Sequence, residues 1–592
     1  MLYPQQNEVR NLLELSGIWD FQPDPDGAGA DGAWAQGLPD ARPIAVPGSW
    51  NEQHGDLRDY LGLCWYSRTF CIPAAWQGSR VRLRVGSAVY HAEVWVNGQR
   101  MGAHEGGHLP FEFDITDALN WDNENTVSIA VENELKPTRV PPGNVPSGMF
   151  ALMGSYPSAS YDFFPYAGLH RPVYLYSVPQ QHIADVTVTT DIDGSSGLVR
   201  VVVDQSGVGG SCHLHLKDGV TSVEATVDFD GGRAEAVLQV EDAQLWAPGN
   251  PHLYELTVTL KDGNATVDRY RLDVGIRTIA VQGDQILLNG EPIFLKGFGR
   301  HEDFAISGRG LNLPLLVKDY SLLKWIGANS YRTSHYPYSE EEMRMADREG
   351  ILIIDEIPAV GLFFEGDDAG IRTRLDLCKM QMRELVARDK NHASVIMWSV
   401  ANEPFPPDMM KRFASHEPMP VDPKTTAFFD ELISLTRQLD PSRLVTLVGV
   451  HGSPNEWHEL TDVVCINRYY GWYTQGGQLD EGLKLISAEL DALHAALGKP
   501  VIVTEFGADT IPGSHAEPAE LWTEEYQVAM ISGYLDAADA RPFVAGMHIW
   551  NFADFKTGQG NRRVNGYNYK GVFTRDRRPK MVAHVLKKRW NA

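Results

Sequence analysis

Residues 395–404 read VIMWSVANEP, an apolar run that ends in an amide, a carboxylate and a proline. Residues 501–507 read VIVTEFG and again place a glutamate directly after an apolar run. Short continuous apolar runs of this kind are typical of strands in a buried parallel sheet. After Gly275 eight such runs alternate with helix-like stretches, and this rhythm over about 300 residues predicts a (β/α)8 barrel, also called a TIM barrel. The predicted strands are Ile293–Gly297, Ala328–Thr333, Ile351–Asp355, Val395–Val400, Leu444–Val450, Asp462–Ile466, Val501–Thr504 and Val544–Trp550.

The helix-like stretches between these strands have the apolar spacing of amphipathic helices. A doubly wound open sheet is the alternative arrangement, and it would be expected to carry a Gly-rich phosphate loop. The sequence contains no such loop, so the barrel is favoured. Helices are predicted at Leu315–Ile326, Glu340–Glu349, Leu375–Arg388 and Leu479–Leu497.

The sequence before the barrel consists of short alternating runs interrupted by turn residues, which is typical of antiparallel β-sandwiches. We expect a multidomain α and β protein with three domains. Residues 1–180 are predicted to form a jelly-roll-like β-sandwich, residues 181–275 an immunoglobulin-like β-sandwich, and residues 276–592 the barrel. The Pro- and Gly-rich segment Lys136–Ser158 is predicted to be a long loop.

Composition and charge restrict the classes of partner. The 52 basic and 77 acidic residues give a net charge of −25, which disfavours nucleic acid and anionic membrane surfaces. Five scattered cysteines form no disulfide framework, and the N-terminus has no apolar signal core. We therefore expect a cytoplasmic protein, although secretion stays open.

One short motif resembles a metal site. His104-Glu105-Gly106-Gly107-His108 matches the HExxH pattern of zinc proteases, which requires a helix. Two glycines, each costing about 1 kcal/mol in a helix, and a preceding strand and turn oppose that structure. We interpret the segment as a loop of the sandwich and expect no metal or organic cofactor.

Glu403 and Glu505 are the candidate catalytic residues. Each directly follows an apolar strand, so both carboxylates should face the mouth of the barrel, where barrel enzymes place their sites. Two facing carboxylates allow one group to protonate a glycosidic oxygen while the other attacks the anomeric carbon. A salt-bridged rim residue is the alternative for either glutamate alone.

Several longer motifs carry a family resemblance. Together with Asn402-Glu403-Pro404 and Glu505, they make the chain similar to the β-glucuronidases of glycoside hydrolase family 2 over its whole length. This resemblance implies a retaining, exo-acting hydrolase of β-D-glucuronides that works through a covalent glycosyl-enzyme. It also implies that the first sandwich is sugar-binding-like and that the barrel is catalytic. The motifs are Asp162–Gly168, Arg332–Pro337, Asn467–Tyr473, Trp550–Phe555 and Asn568–Gly571.

The resemblance also implies residue roles. Glu403 would be the acid/base and Glu505 the nucleophile. Arg332 would keep Glu505 ionised, Tyr469 would donate to it, and Asn402 would bind the sugar 2-hydroxyl. The other residues implied to form the sugar pocket are Asp162, His335, Asn467, Tyr473 and Trp550.

Asn568 and Lys570 determine the implied substrate class. A glucuronide carries a carboxylate at C6, and burying that anion without a partner costs several kcal/mol. A lysine ammonium and an amide supply a charge-assisted and a neutral hydrogen bond. Arg563 is an auxiliary candidate, but one extra residue separates it from Asn568 compared with relatives.

The connection Pro358–Thr373, between predicted strand three and its helix, is short compared with that of many bacterial relatives. The segment Pro404–Lys424, directly after Glu403, is interpreted as an insertion. Its apolar side chains are hypothesised to contact an apolar aglycone; the alternative is a surface excursion that packs on its own barrel. These side chains are Phe405, Met409, Met410, Phe413 and Met419.

Three alternative functions stay open at this point. A β-galacturonidase or a dual-specificity uronidase could use the same carboxylate site, and a β-galactosidase or β-mannosidase would act on neutral sugars. A non-catalytic carbohydrate-binding protein would need no paired glutamates. The expected partners are small-molecule glucuronide conjugates, and the resemblance implies a homo-oligomer, either a dimer or a tetramer.

Overall fold

The computed structural model describes residues 1–144, 155–407, 409–414 and 420–591. Antiparallel sheets occupy the N-terminal half, and a closed parallel barrel occupies the C-terminal half. The predicted fold class is confirmed. Part of the predicted loop Lys136–Ser158 lies outside the described residues, as do Met419 and the side chains of Met410 and Phe413.

The first region is a sandwich of a four-stranded and a six-stranded sheet around an apolar core. Alternating residues point into this core, as the alternating sequence predicts. The four-stranded sheet has the order Asn11–Glu14, Val173–Val178, Arg80–Val85, Phe111–Asp114. The six-stranded sheet has the order Arg42–Val46, Gly17–Asp24, Leu63–Phe70, Asn125–Glu132, His91–Val96, Gln99–Glu105.

The HExxH segment belongs to this sandwich. The predicted loop is wrong for His104 and Glu105, which end the strand Gln99–Glu105; as expected, these two residues are not on a helix. His104 Nε2 lies 3.1 Å from the Glu384 carboxylate of a barrel helix, so this imidazole contacts the barrel.

The second region has two sheets packed around a separate core. The strands of the three-stranded sheet are Ile183–Asp193, Ser196–Gln205 and Arg233–Val240, and those of the four-stranded sheet are Ser222–Asp228, Ser211–Lys217, Tyr254–Asp262 and Ala265–Val274. The sequence predicts strands here at Ala184–Thr190, Leu198–Val203, Ala236–Val240, Leu253–Leu260 and Tyr270–Val274, and it misses Ser211–Lys217 and Ser222–Asp228. Ser222–Asp228 has no fully buried residue, so it lacks the apolar pattern of a core strand.

The eight predicted barrel strands form one closed parallel barrel. Their ends shift by at most a few residues from the predicted ends because apolar runs do not mark where pairing stops. The strands, numbered one to eight, are Leu295–Gly299, Ser330–Arg332, Leu352–Glu356, Val395–Asn402, Leu444–Gly449, Val464–Asn467, Val501–Glu505 and Val544–Ile549.

Helices surround this barrel and bury apolar faces against it. The helix Asp368–Asp389 begins seven residues before its predicted start because Asp367 caps it, accepting a hydrogen bond from Gly370 N at 2.7 Å. Its first turns lack apolar spacing, so no hydrophobic pattern marks where the helix begins. The barrel helices are Leu313–Ile326, Glu340–Glu349, Asp368–Asp389, Met409–Ala414, Pro423–Leu439, Asn455–Glu459, Leu479–Leu497, Glu524–Asp539 and Met581–Trp590.

All five cysteines lie within the described residues and are free thiols, four of them buried. In the described part of the chain, no helix combines the length and apolar character needed to cross a membrane.

Candidate active site

The two candidate carboxylates lie at the carboxyl ends of barrel strands four and seven. Glu505 is the last residue of strand seven, and Glu403 follows the last residue of strand four. Glu403 adopts a left-handed backbone conformation with φ +46°, which costs a residue with a side chain about 1–3 kcal/mol. Its N–H donates to Val448 O on strand five at 2.9 Å, which helps to hold this conformation.

Glu505 has a strong donor on each carboxylate oxygen. Arg332 Nη2 donates to Oε1, and the Tyr469 hydroxyl donates to Oε2 at 2.7 Å. Arg332 lies at the end of strand two and is fully buried, so its interaction with Glu505 is weakly screened. The arrangement predicted for these three residues is present.

Glu403 has a weaker environment. Asn467 Nδ2 at the end of strand six donates to Glu403 Oε1 at 3.0 Å. The same amide lies 3.1 Å from Asn402 Oδ1, which also accepts from Arg332 at 3.3 Å. Among the described residues, one neutral donor therefore bonds Glu403, whereas a guanidinium and a phenol bond Glu505.

Burial and mutual repulsion control the protonation of this pair. Burial raises the pKa of Glu505 to about 8, although Arg332 lowers it, and a charged Glu403 contributes to the rise. Burial also raises the pKa of Glu403. When Glu403 holds a proton, its repulsion of Glu505 disappears. The stronger donors on Glu505 then favour one shared proton on Glu403 and the charge on Glu505.

Arg332 is fixed by a second buried carboxylate that the sequence prediction missed. Glu356, at the end of strand three, accepts from Arg332 Nη1 at 2.7 Å and from the Ser399 hydroxyl at 2.6 Å. His335 Nδ1 lies 2.9 Å from the same carboxylate, and the ring stacks on Trp550 with centroids 5.1 Å apart. Because burial and Arg332 hold its pKa well below the usual range, His335 is neutral.

A cluster of charged groups surrounds Lys570 beside these carboxylates. Lys570 is fully buried, and its ammonium donates to Asp509 Oδ2 and, at 2.9 Å, to the Tyr473 hydroxyl. Although burial raises the pKa of Asp509, Lys570 and Arg563 lower it more, so it lies below its usual value. Asp509 is therefore ionised.

Arg563 and Asn568 belong to the same cluster. Arg563 donates to both oxygens of Asp162, to Asp509 at 3.2 Å and to the Tyr473 hydroxyl at 2.9 Å. Asn568 Nδ2 donates to Asp162 Oδ2 at 2.9 Å. The extra residue before Asn568 thus does not remove Arg563 from the cluster, and Asp162 reaches it from the first sandwich.

The cluster is linked to the catalytic pair through two tyrosines. Tyr469, which donates to Glu505, packs edge-on against Tyr473 with ring centroids 5.1 Å apart. Tyr473 in turn accepts from Lys570. The Glu403–Glu505 pair therefore lies beside Lys570 and Arg563, which we call, with Asn568, the cationic cluster although Asp162 and Asp509 balance their charge in the free enzyme.

All thirteen predicted site residues are within the described part of the chain, and the contacts above join them into one network. Sequence reasoning missed Asp509 and Glu356. Glu356 carries the same signal as Glu403, a carboxylate at the end of an apolar strand. Asp509 lies four residues past Glu505 in a segment without regular structure, so no local pattern marks it.

This barrel with paired carboxylates defines the class of the protein, a glycoside hydrolase. Three family models match consecutive parts of the chain: the sugar binding domain of glycosyl hydrolases family 2 at residues 12–179, a second domain of that family at 181–277, and its TIM barrel domain at 279–592. The chain belongs to glycoside hydrolase family 2.

Relatives and solved structures agree with this family. A beta-glucuronidase of Paenibacillus borealis is 43% identical, with 100% of this chain and 98% of the relative covered. A beta-glucuronidase of Rattus norvegicus is 40% identical, covering 100% and 92%. The structure of the Ruminococcus gnavus enzyme in complex with D-glucuronic acid matches with a TM-score of 0.90 at 38% identity, covering 100% and 99%.

Proposed function

We propose that this glycoside hydrolase is an exo-acting β-glucuronidase that releases D-glucuronic acid from small-molecule conjugates with retention of configuration. The observation that carries the substrate class is the buried Lys570 ammonium, with Asn568 and Arg563 beside it, next to the Glu403–Glu505 pair. The relatives and the structures with glucuronic acid support the same substrate.

The proposed mechanism uses the protonation state that the contacts favour. Protonated Glu403 gives its proton to the glycosidic oxygen while the Glu505 carboxylate attacks the anomeric carbon, forming a glycosyl-enzyme ester. Glu403, now ionised, takes a proton from water, and the resulting nucleophile attacks the same carbon and releases Glu505. The two inversions give net retention, and both carboxylates return to their starting states.

Arg332 and Tyr469 stabilise the charge on Glu505 before it attacks. They stabilise the same charge again when water displaces Glu505 from the sugar. Asn402 is proposed to bind the 2-hydroxyl, a contact that strengthens as the ring acquires positive charge. Trp550 and His335, stacked on each other, are proposed to form a wall of the sugar pocket. The cationic cluster binds the C6 carboxylate.

A panel assay tests the substrate class. The 4-nitrophenyl β-glycosides of glucuronic acid, galacturonic acid, glucose and galactose differ only in the sugar, so kcat/KM values compare the sugars directly. We expect the glucuronide to be the preferred substrate and Glu505→Gln to lose this activity. A preference for galacturonide would replace the proposal with the β-galacturonidase alternative.

Lys570→Ala separates the carboxylate contact from the catalytic chemistry. Removing a charge-assisted hydrogen bond should lower kcat/KM for the glucuronide by about 10- to 100-fold, while trace hydrolysis of the glucoside is spared. Normal glucuronide hydrolysis by this variant would show that the substrate assignment is wrong.

A further inference from the structure

The position of the Lys570 ammonium depends on its hydrogen-bond acceptors. A lysine side chain is a flexible stem that ends in three rotatable N–H donors. Among the described residues, the acceptors of this ammonium are Asp509 and Tyr473. Two of the three donors are thereby committed, and their directions fix that of the third.

Hydrogen bonds join the segment that contains Asp509 to the segment that contains Lys570. Asp509 Oδ1 accepts from Tyr569 N at 2.8 Å, and Thr510 N donates to Tyr569 O at 3.0 Å. The segment after strand seven is thus bonded through both side chain and backbone to the segment that carries Lys570. A substitution at Asp509 therefore affects the Lys570 ammonium through their direct hydrogen bond and through the backbone of Tyr569, to which Asp509 is also bonded.

Asp162 and Asp509 differ in how readily they can leave the cations. The Asp162 side chain is 46% exposed, whereas that of Asp509 is 1% exposed. An arriving sugar carboxylate can therefore replace Asp162 on Arg563 and Asn568, but it cannot replace Asp509. Asp509 keeps its charge next to Lys570 before and after substrate binds.

We infer that Asp509 is a positioning residue that determines selectivity for uronic acids, by holding the Lys570 ammonium in the direction that meets the sugar carboxylate. This inference rests on the proposed function and adds a residue to its substrate recognition. A neutral sugar has no carboxylate for the ammonium, so its binding does not depend on Asp509.

Two matched inhibitors test this inference through binding. Uronic deoxynojirimycin and deoxynojirimycin differ only at C6, where the first carries a carboxylate and the second a hydroxymethyl group. The ratio of their inhibition constants measures selectivity for the carboxylate, and the hydroxymethyl inhibitor reports on the rest of the pocket. In Asp509→Asn, which keeps the side-chain shape and removes the charge, we expect selectivity to fall about 10- to 100-fold with little change for the hydroxymethyl inhibitor.

A double-mutant cycle with Lys570→Met shows whether Asp509 acts through the ammonium. In the Lys570→Met background, Asp509→Asn should cause no further loss of selectivity. Asp440→Asn is the matched control because Asp440 is also buried and bound to an arginine, Arg443, but precedes strand five at the opposite end of the barrel. Its inhibition constants should match those of the unmodified enzyme.

Three results would overturn the inference. Asp509→Asn could bind the uronic inhibitor more tightly, it could weaken both inhibitors equally, or it could lower selectivity as much without Lys570 as with it. Asp509→Ser, which is smaller and cannot overpack the site, provides the same measurement if the asparagine variant does not fold. Equal binding of both inhibitors by the unmodified enzyme would instead refute the proposed function.

Discussion

The number and charge of hydrogen-bond donors distinguish Glu403 from Glu505. Asn467 gives Glu403 one neutral bond, whereas Arg332 and Tyr469 give Glu505 a charged and a phenolic one. Because both carboxyls are raised in pKa by burial, the pair can keep one proton at neutral pH. The two glutamates therefore take different chemical roles, acid/base for Glu403 and nucleophile for Glu505, because their neighbours differ.

The pH dependence of kcat/KM should report this proton. The raised pKa of Glu403 means that its acid form persists above the usual carboxyl range and is lost as the pH rises through that pKa. Activity should fall on this basic side. In Glu403→Gln, hydrolysis of a 4-nitrophenyl glucuronide should drop about 10²- to 10⁴-fold.

A leaving group that needs no proton is the control for this variant. With 2,4-dinitrophenyl glucuronide, Glu403→Gln should retain formation of the glycosyl-enzyme and lose the basic decline. Persistence of that decline in Glu403→Gln would contradict the assignment of the acid.

Residue roles could be predicted where a local pattern marks them. Glu403 and Glu505 follow apolar strands, and Lys570 lies in a recognisable motif. Asp509 could not be predicted because its role arises only when the segments around residues 509, 563 and 570 meet in space. Protonation likewise depends on burial and neighbours that the sequence does not display.

At the scale of elements, a buried ion pair supports the segment that carries Lys570. Lys580 Nζ donates to Asp554 Oδ1 at 2.8 Å, to Tyr569 O at 2.8 Å and to Thr510 O at 3.0 Å. Asp554 Oδ1 also accepts from Gly571 N at 2.9 Å. This pair joins the segments after strands seven and eight beneath the cationic cluster.

Lys580→Met should destabilise the barrel by about 3 kcal/mol. Burial raises the pKa of Asp554 to about 7 although Lys580 lowers it, so without Lys580 this carboxyl must take up a proton or stay charged without a cation. Calorimetry should show a lower midpoint for barrel unfolding. Lys580→Met combined with Asp554→Asn removes the unpaired charge and should recover part of the loss. A double variant less stable than the single one would contradict this explanation.

Helices and strands could be predicted from the sequence where their apolar pattern was strong. Glu340–Glu349 and Leu479–Leu497 have the predicted bounds, and all eight barrel strands are present. The strand Ser222–Asp228 was missed because half-buried alternation gives little hydrophobic signal. The insertion Pro404–Lys424 lies partly outside the described residues, so its contact with an aglycone stays a prediction.

At the scale of the whole molecule, the first sandwich contributes to the barrel site. Asp162 bonds Arg563 and Asn568, and the buried Arg171 donates to Pro337 O at 2.7 Å, two residues after His335. The barrel site therefore includes residues of more than one region. The net charge of −25 also means that local cations, rather than the overall field, must attract an anionic sugar.

The three-region architecture could be predicted because strand and helix periodicities differ along the chain. Homo-oligomeric assembly depends on surface complementarity and a cytoplasmic location on targeting signals, and strand and helix periodicity reports on neither. Both stay predictions.

Trapping of the glycosyl-enzyme tests the central claim most directly. A 2-deoxy-2-fluoro-β-D-glucuronosyl fluoride should form an ester that hydrolyses slowly, because the fluorine destabilises the oxocarbenium-like transition state. Mass spectrometry of peptides from the inactivated enzyme should place one fluoroglucuronosyl group on Glu505, and Glu505→Gln should remain unlabelled. Label on Glu403 or another residue, or continued turnover without any label, would contradict a retaining β-glucuronidase with Glu505 as its nucleophile.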